Sequence, residues 1–457
     1  MQNDSRRLRI AQVITCLGQG AESEIVKAVC GRLAGLGHGV TLISAPTVCP
    51  SKRTAEFLKS FNGHFIEVPE LKRDINLVHD IAALASLYKI FTREKFDVIH
   101  THTLKAGFLG GIAGRLARCR AVVHTPYGRV FYGHSRLPLF SDKVIAPTGL
   151  EKREMIRQHI CPAEKIEVMR HGIEFESYAL PETDRRNFRA GFGFSDNDKV
   201  IGMLGRLETD KGPEYFVEAA SFIAARWPEA RFIMAGDGSL RKRLEAKVME
   251  LGLKKKFVFA GWREDVPGIL STLDILVMPS LNEAVGMAAV EAAAAGVPLI
   301  ATNVGGVPEM VKDGDTAILV APREPRAIAD IAYLLLSDPE KKKSMAAAGR
   351  AWAADNFRAE TMVKKLERLY AALTEPAVKD AAKWYFKPSA LVVGFLCIGP
   401  FILPLVWTNS KFDTRKKIVI SAAILIVSYL LVLLMARSLQ SLSNYYQELS
   451  RLLQDMR

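Results

Sequence analysis

Short β-like apolar runs alternate with helical segments from residue 7 to about residue 340. That rhythm confines the chain to parallel sheets covered by helices, because a parallel strand pair needs a crossover element between its members. A first series of strands is expected at residues 9–15, 39–44, 64–68, 97–101, 121–125 and 143–147. Residues 175–198, rich in polar and aromatic side chains, break the rhythm. A second series follows at 199–204, 231–235, 256–260, 275–279, 298–302 and 316–320. The fold class is therefore α/β, with two Rossmann-like doubly wound domains facing a cleft, where the carboxyl ends of such strands bind ligands. At 457 residues the chain exceeds one ordinary core. It holds no short-period repeat, so the halves are two similar folds and not a solenoid.

The expected division is 1–174 for the first domain, 175–198 for a linker, 199–373 for the second domain and 374–388 for a basic linker. Two hydrophobic membrane segments within 389–436 and an amphipathic tail at 437–457 complete it. The runs at 389–407 and 418–436 carry no charge and approach the roughly 20 helical residues that cross a hydrocarbon core. A pair of buried core helices is the other reading. Between the runs, Lys411, Arg415, Lys416 and Lys417 face one Asp413. A simple hairpin would put this basic loop outside. A re-entrant first run, broken at Gly399-Pro400 and Pro404, would keep it inside. Both topologies stay open.

A net charge of +13 calls for an acidic partner such as a phosphorylated ligand or anionic lipid. The basic residues are spread out, without a long run or interleaved aromatics, which argues against nucleic acid. Cys16, Cys30, Cys49, Cys119, Cys161 and Cys397 form no C-x-x-C pair, so a reducing compartment is expected. The first residues read as a core strand and not as a signal peptide, which places the domains on the cytoplasmic side of the cytoplasmic membrane.

Three stretches carry candidate chemistry. Gly18 and Gly20 sit between the first strand and its helix, where glycine lets a ligand approach and a helix start favours an anion; a tight turn alone is an equal reading. Gly205-Arg206 closes the first strand of the second domain, with Lys211-Gly212 just beyond, so that two cations beside a helix start form a pyrophosphate clamp. The most informative stretch runs from Pro279 to Ala292. Glu283 ends the loop, Val285-Gly286-Met287 opens a helix with free amides, and Glu291 lies about two turns on, facing the same cleft. Carboxylates suit vicinal hydroxyls because they accept two hydrogen bonds. All nine histidines fall between His38 and His171. His102, at a strand's carboxyl end, is the first-domain cleft candidate, while His100 is expected to face the sheet packing. Asp196-Asn197-Asp198 and Asp313-Gly314-Asp315 are read as turn chemistry and not as metal motifs.

With these motifs assembled, the chain resembles glycosyltransferase family 4, the retaining enzymes of the GT-B fold, over about residues 7–373. Glu283 and Glu291 match the family's E-x7-E element. Gly205-Arg206, Lys211-Gly212, Ala235-Gly236-Asp237-Gly238 and Asn303-Val304-Gly305-Gly306-Val307-Pro308-Glu309 match as well, as do Gly20-Ala21-Glu22, Gly37-His38 and the run from Asp97 to Gly107. The resemblance implies a UDP- or GDP-sugar donor whose diphosphate is bound by Arg206 and Lys211. Glu283 would hold the donor sugar, with the amides after Ala284, and Glu291 the ribose. The loop 261–266, which contains Arg263, would lie against the base. It further implies metal-independent transfer with no cofactor and an acceptor bound on the first domain; the C-terminal segments would bring a lipid-linked or membrane-near acceptor close.

Two departures stand out. Tyr127 occupies the position where the family has a histidine touching the donor sugar. Residues 128–142 leave only a short loop where relatives carry an extra helix. Besides the transferase, a nucleotide-sugar 2-epimerase and a catalytically impaired nucleotide-sugar-binding scaffold fit the same fold.

Overall fold

Ile10, Ala11, Val13 and Ile14 are fully buried, and Gln12 between them is buried too. A strand without an exposed face belongs in the middle of a parallel sheet covered on both sides. The computed structural model, which describes residues 7–18, 20–46, 52–127, 140–375, 403–407, 414–430 and 433, has this arrangement twice. The first domain runs β1 (Arg9–Cys16), α1 (Ala21–Gly35), β2 (Gly39–Ala45), α2 (Lys52–Ser60), β3 (His64–Glu67) and α3 (Leu77–Glu94). It continues with β4 (Val98–His102), α4 (Leu104–Leu116), β5 (Ala121–Thr125), β6 (Lys143–Ala146), α5 (Gly149–Arg157) and β7 (Ile166–Val168). Then come α6 (Glu182–Gly191), β8 (Lys199–Leu204), α7 (Pro213–Arg226), β9 (Ala230–Ala235), α8 (Arg241–Glu250), β10 (Phe257–Gly261) and α9 (Val266–Thr272). The second domain closes with β11 (Ile275–Met278), α10 (Met287–Ala295), β12 (Leu299–Thr302), α11 (Val307–Met310), β13 (Ile318–Val320), α12 (Pro325–Ser337) and α13 (Pro339–Asn356). A last helix, α14 (Ala359–Thr374), follows.

The seven-stranded sheet has the order β3-β2-β1-β4-β5-β6-β7 and the six-stranded one β10-β9-β8-β11-β12-β13. Every strand pair is parallel. The order reverses between β1 and β4 and between β8 and β11, so loops leaving those strands diverge and open a crevice. The glycine turn and His102 follow or end one pair; Arg206 and Glu283 follow the other.

Two boundaries differ from expectation. Phe175 and Phe194, at the ends of the expected linker, are buried in the core of the second domain with Ile269 and Val290. Conversely α14, expected in the second domain, lies on the first. Met362, Val363, Leu366 and Tyr370 are buried there against Leu8, Ile10 and Leu33. Each such burial contributes about 1.5–3 kcal/mol, enough to override sequence neighbourhood. The crossing is made beside the first one: Ile173 N donates to Phe357 O at 2.8 Å and Ala359 N to Ile173 O at 2.9 Å. Leu8 N donates to Nδ1 of His38, which puts the ring proton on Nε2, 3.2 Å from Glu367 of α14.

Residues 376–457 form a separate unit. Of the expected membrane segments, 389–402, 431–432 and 434–436 lie outside the described residues, as does the tail at 437–457. A short helix covers Leu403–Trp407, and residues 414–430 are helical. Trp407 Nε1 donates to Ser421 Oγ at 3.2 Å, and Ile418, Val419, Leu425 and Ile426 are exposed. Among the described residues no helix is long and apolar enough to cross a membrane.

Candidate functional site

The loops leaving β8, β11 and β12 are joined backbone to backbone. Leu281 N and Asn282 N both donate to Asp210 O, at 2.9 and 3.1 Å, and Gly306 N donates to Glu283 O at 3.1 Å. The contact is possible because Gly305 has a φ of +55° and no side chain; a Cβ there would stand 1.7 Å from Glu283 O. In the same way Gly212, at φ +61°, leaves no room for a Cβ, which would meet Pro279 O at 2.2 Å. Gly212 thus welds the cation-bearing loop to the carboxylate-bearing one, and Gly305 ties the loop after β12 to that same carboxylate-bearing loop.

The weld brings Lys211 Nζ to 2.5 Å from Glu283 Oε1, the same oxygen that receives the Ser280 hydroxyl at 3.0 Å. Both charged side chains are largely buried. Arg206 pairs with Asp210 at 2.8 Å at the exposed rim. Arg263 makes a two-pronged pair with Asp265 at 2.8 and 2.7 Å, its guanidinium 5.6 Å from the Phe192 ring centre. Each expected donor-binding cation is thus already matched by a carboxylate. An ammonium has three donors and a guanidinium five, so each can keep its partner and still donate to a phosphate oxygen. Val285 and Met287 flank Gly286, which caps α10 in the left-handed region.

Glu291 lies on α10 and accepts the Tyr178 hydroxyl at 3.2 Å. Burial raises its carboxyl to about 7; the Tyr178 bond opposes this, and the nearby charges of Glu24 and Arg53 act in opposite senses. Glu24 belongs to α1 and Arg53 to α2, so Glu291 looks toward the first domain. Arg53 also reaches across to donate to Glu264 O at 3.1 Å.

On the first domain, Gly18 and Gly20 lie between β1 and α1. The Glu22 carboxylate folds back over Gly20, 2.9 Å from where a Cβ would stand, and pairs with Arg73 at 3.3 Å. The chain's own carboxylate complements this helix start. His102 is 1% exposed, and both ring nitrogens are engaged. Its Nε2 is 2.6 Å from Gln12 Oε1, which can only accept, so the proton sits on Nε2 and Tyr127 donates to Nδ1 at 3.2 Å. Gln12 Nε2 donates to the Tyr370 hydroxyl at 3.1 Å, which in turn donates to His100 Nδ1 at 2.6 Å. His100 Nε2 then donates to Thr125 Oγ1 at 2.8 Å. The bonds run in one direction from Tyr127 to Thr125. Burial lowers His102 to about 3 and His124 and His171 to about 4, and takes His100 well below its ordinary value. All four imidazoles are neutral near pH 7. Tyr127 is stacked between His102 and His171 at 5.8 and 5.2 Å.

Residues 184–352 match the family described as glycosyl transferases group 1, and residues 23–177 match glycosyltransferase family 4. The chain is 33% identical over 320 residues to the UDP-Gal:alpha-D-GlcNAc-diphosphoundecaprenol alpha-1,3-galactosyltransferase of Escherichia coli, covering 66% of this chain and 82% of that one. The chain belongs to the family 4 glycosyltransferases. This glycosyltransferase is also 28% identical over 399 residues to the D-inositol 3-phosphate glycosyltransferase of Corynebacterium urealyticum, covering 78% of this chain and 91% of that one. Its fold is GT-B. Anabaena HepE, solved with UDP-glucose, superposes with a TM-score of 0.70 at 21% identity, over 80% of this chain and all of that one.

Within the transferase, Arg206, Lys211 and Glu283 lie on the joined loops after β8 and β11, and Val285, Gly286 and Met287 lie at the start of α10. His102 does not present a free nitrogen: a sheet position at a strand end pointed to a cleft, but the side chain is enclosed by Gln12 and Tyr127. The loop at 128–139 lies outside the described residues. Sequence reasoning passed over Ser280, Asp210, Tyr178 and Tyr370. Ser280 carries a signal, since it stands three residues before Glu283 in the same turn. Tyr178 and Tyr370 carry none, because their partners lie 113 and 270 residues away. In the expected metal-like turns, Asp198 accepts from Ser195 N and Asp313 from Leu319 N, both acting as turn anchors.

Proposed function

We propose that this transferase moves a sugar, with retention, from a nucleotide-sugar donor to a lipid-linked or membrane-near acceptor. The observation that carries the donor half is the Lys211–Glu283–Ser280 cluster on the welded loops after β8 and β11. Lys211 and Arg206 stabilise the leaving diphosphate, Glu283 orients the donor sugar, Glu291 takes the ribose and Arg263 lies by the base. The bond from the anomeric carbon to the phosphate breaks as the bond to the acceptor oxygen forms on the same face, and the acceptor proton passes to the departing phosphate. Positioning and charge stabilisation suffice, with no metal required. UDP-sugars are the first donors to test: the Escherichia coli relative is named for UDP-Gal, and HepE was solved with UDP-glucose.

A membrane-near acceptor is supported by the same relative's diphosphoundecaprenol acceptor and by two surfaces here. Ile75, Leu77, Val78 and Ile81 are 60–93% exposed beside Arg73, which pairs with Glu22 at the first-domain cleft. In the separate C-terminal unit, Arg415, Lys416 and Lys417 precede an exposed apolar helical face, a pattern suited to an anionic bilayer surface. This reading puts the enzyme at the cytoplasmic membrane with its domains in the cytoplasm. Tyr127, bonded to His102, favours the scaffold as the rival reading.

The test is to incubate the full chain in detergent with UDP- and GDP-sugars and a diphosphate-linked polyprenyl acceptor, then determine product linkage by NMR. An α-linked product from an α-linked donor is expected. Donor binding without transfer or hydrolysis would leave the scaffold.

A further inference from the structure

Glu309 belongs to the second domain, in the one-turn helix α11 after β12, yet its carboxylate is bound to the first. Oε2 accepts from Gly149 N and Oε1 from Leu150 N, each at 2.7 Å, and Arg153 stands 3.5 Å from Oε1. These amides open α5, where helix N–H groups have no partners of their own and the helix end is positive. Thr148 caps a third amide, that of Glu151, at 3.0 Å. The other end of the Glu309 turn is fixed as firmly. Gly305 and Gly306 lie against the backbone of Glu283 and Ala284, with the Gly306 N to Glu283 O bond at 3.1 Å, and Val307 and Met310 are buried. One short turn therefore touches the residue assigned to the donor sugar and grips the acceptor-side domain. Burial first, and the Glu309 charge second, raise the Glu151 carboxyl to about 8. Glu151 is then protonated at neutral pH and sets no second charge beside the grip.

We infer that Glu309 is a positioning residue for transfer, a latch that fixes α5 of the first domain against the turn carrying Glu283. The donor sugar and the acceptor must meet across the domain boundary, and misplacement by about 1 Å can cost on the order of a hundredfold in rate. The latch sets that register without touching either substrate.

The experiment uses the full chain, the double variant of Glu309→Ala with Gly149→Ala, and three single variants: Glu309→Ala, Glu309→Gln and Gly149→Ala. The last leaves the charge but puts a methyl 3.3 Å from Glu309 Oε1 and 3.4 Å from Oε2. Hydrogen exchange should show the Gly149 and Leu150 amides protected in wild type and fast in Glu309→Ala, while the β5 and β11 amides keep their protection. In the transfer assay, which rests on the function proposed above, Glu309→Ala should lower kcat about tenfold or more, with the donor Kd within about twofold. Glu309→Gln, which keeps one accepting oxygen, should recover part of the rate. Gly149→Ala combined with Glu309→Ala should be no worse than Glu309→Ala alone. Equal exchange in wild type and variant would remove the latch from solution. Lost protection with wild-type kcat, or loss of kcat, donor binding and global protection together, would overturn the positioning role. A wild type that turns over no donor removes the transfer reading and the positioning role with it, whereas the exchange data still decide the contact.

Discussion

On the first domain, hydrogen bonds between neutral groups link Tyr127, His102, Gln12, Tyr370, His100 and Thr125, whereas on the second Arg206, Lys211 and Arg263 are each paired with a carboxylate. The neutral network is buried and every member satisfies another, so removing one strands its neighbours at about 1–3 kcal/mol apiece. Of the ion pairs, Lys211–Glu283 is largely buried, Arg263–Asp265 is half-buried and Arg206–Asp210 is exposed. An exposed pair such as Arg206–Asp210 contributes about 0–1 kcal/mol, so little opposes its rearrangement around a phosphate. The first-domain network is a frame, and the second-domain cluster is where charge can be redistributed.

The largest effect that would break this comparison is on turnover. Lys211→Ala and Glu283→Ala should each lower transfer by about a hundredfold or more while circular dichroism and thermal midpoint stay close to wild type. Wild-type turnover in either folded variant would remove the donor assignment. Second in size is acid sensitivity of the frame. The four imidazoles have folded values below the ordinary 6.5, so the unfolded chain takes up protons that the folded chain refuses. Stability is full above about 6.5 and falls as pH drops, by up to about 1.4 kcal/mol per unit for each site. Denaturant titrations at pH 7.5 and 5.5 should show this loss, and His102→Gln should make the dependence shallower. Equal midpoints at the two pH values would mean the imidazoles are not shielded.

A smaller effect sharpens the second-domain half of the comparison. Glu291 titrates near 7, and its ionised form is the better acceptor for ribose hydroxyls. UDP-sugar affinity by calorimetry, with a diphosphate diester that does not titrate in this range, should therefore rise between pH 6 and 8, by at most about tenfold, and level off above, while Glu291→Gln stays flat. A flat wild-type profile would detach Glu291 from the ribose. The smallest expected effect is none: EDTA should leave the rate unchanged, because Arg206, Lys211 and the start of α10 supply the positive potential. Activity that disappears on chelation and returns with Mg²⁺ or Mn²⁺ would overturn that account.

Both sheets were legible because strand periodicity and glycine turns are local signals: Gly205, Lys211, Glu283 and Gly286 sit where the sequence put them. Strand β7 was not legible, since Ile166–Val168 is three residues long with a charge at its centre. Nor were the pairings. Gln12 and Tyr370 are 358 positions apart, and nothing near either residue names the other. The return of α14 escaped notice for the same reason, because an amphipathic helix shows which face it buries but not on which core. The enclosure of His102 was not legible either, because position at a strand end says where a Cα lies and not what surrounds the ring.

That return has a consequence for the order in which the molecule matures during synthesis. A chain emerging amino end first exposes all seven strands of the first sheet, then the entire second sheet, before Tyr370 leaves the ribosome. Until then Gln12 and His100 lack their common partner, and Leu8, Ile10 and Leu33 lack the cover of Met362, Val363 and Leu366. The domain made first is completed last, and the second domain folds while its elder neighbour still waits for a lid encoded more than three hundred codons downstream of Gln12.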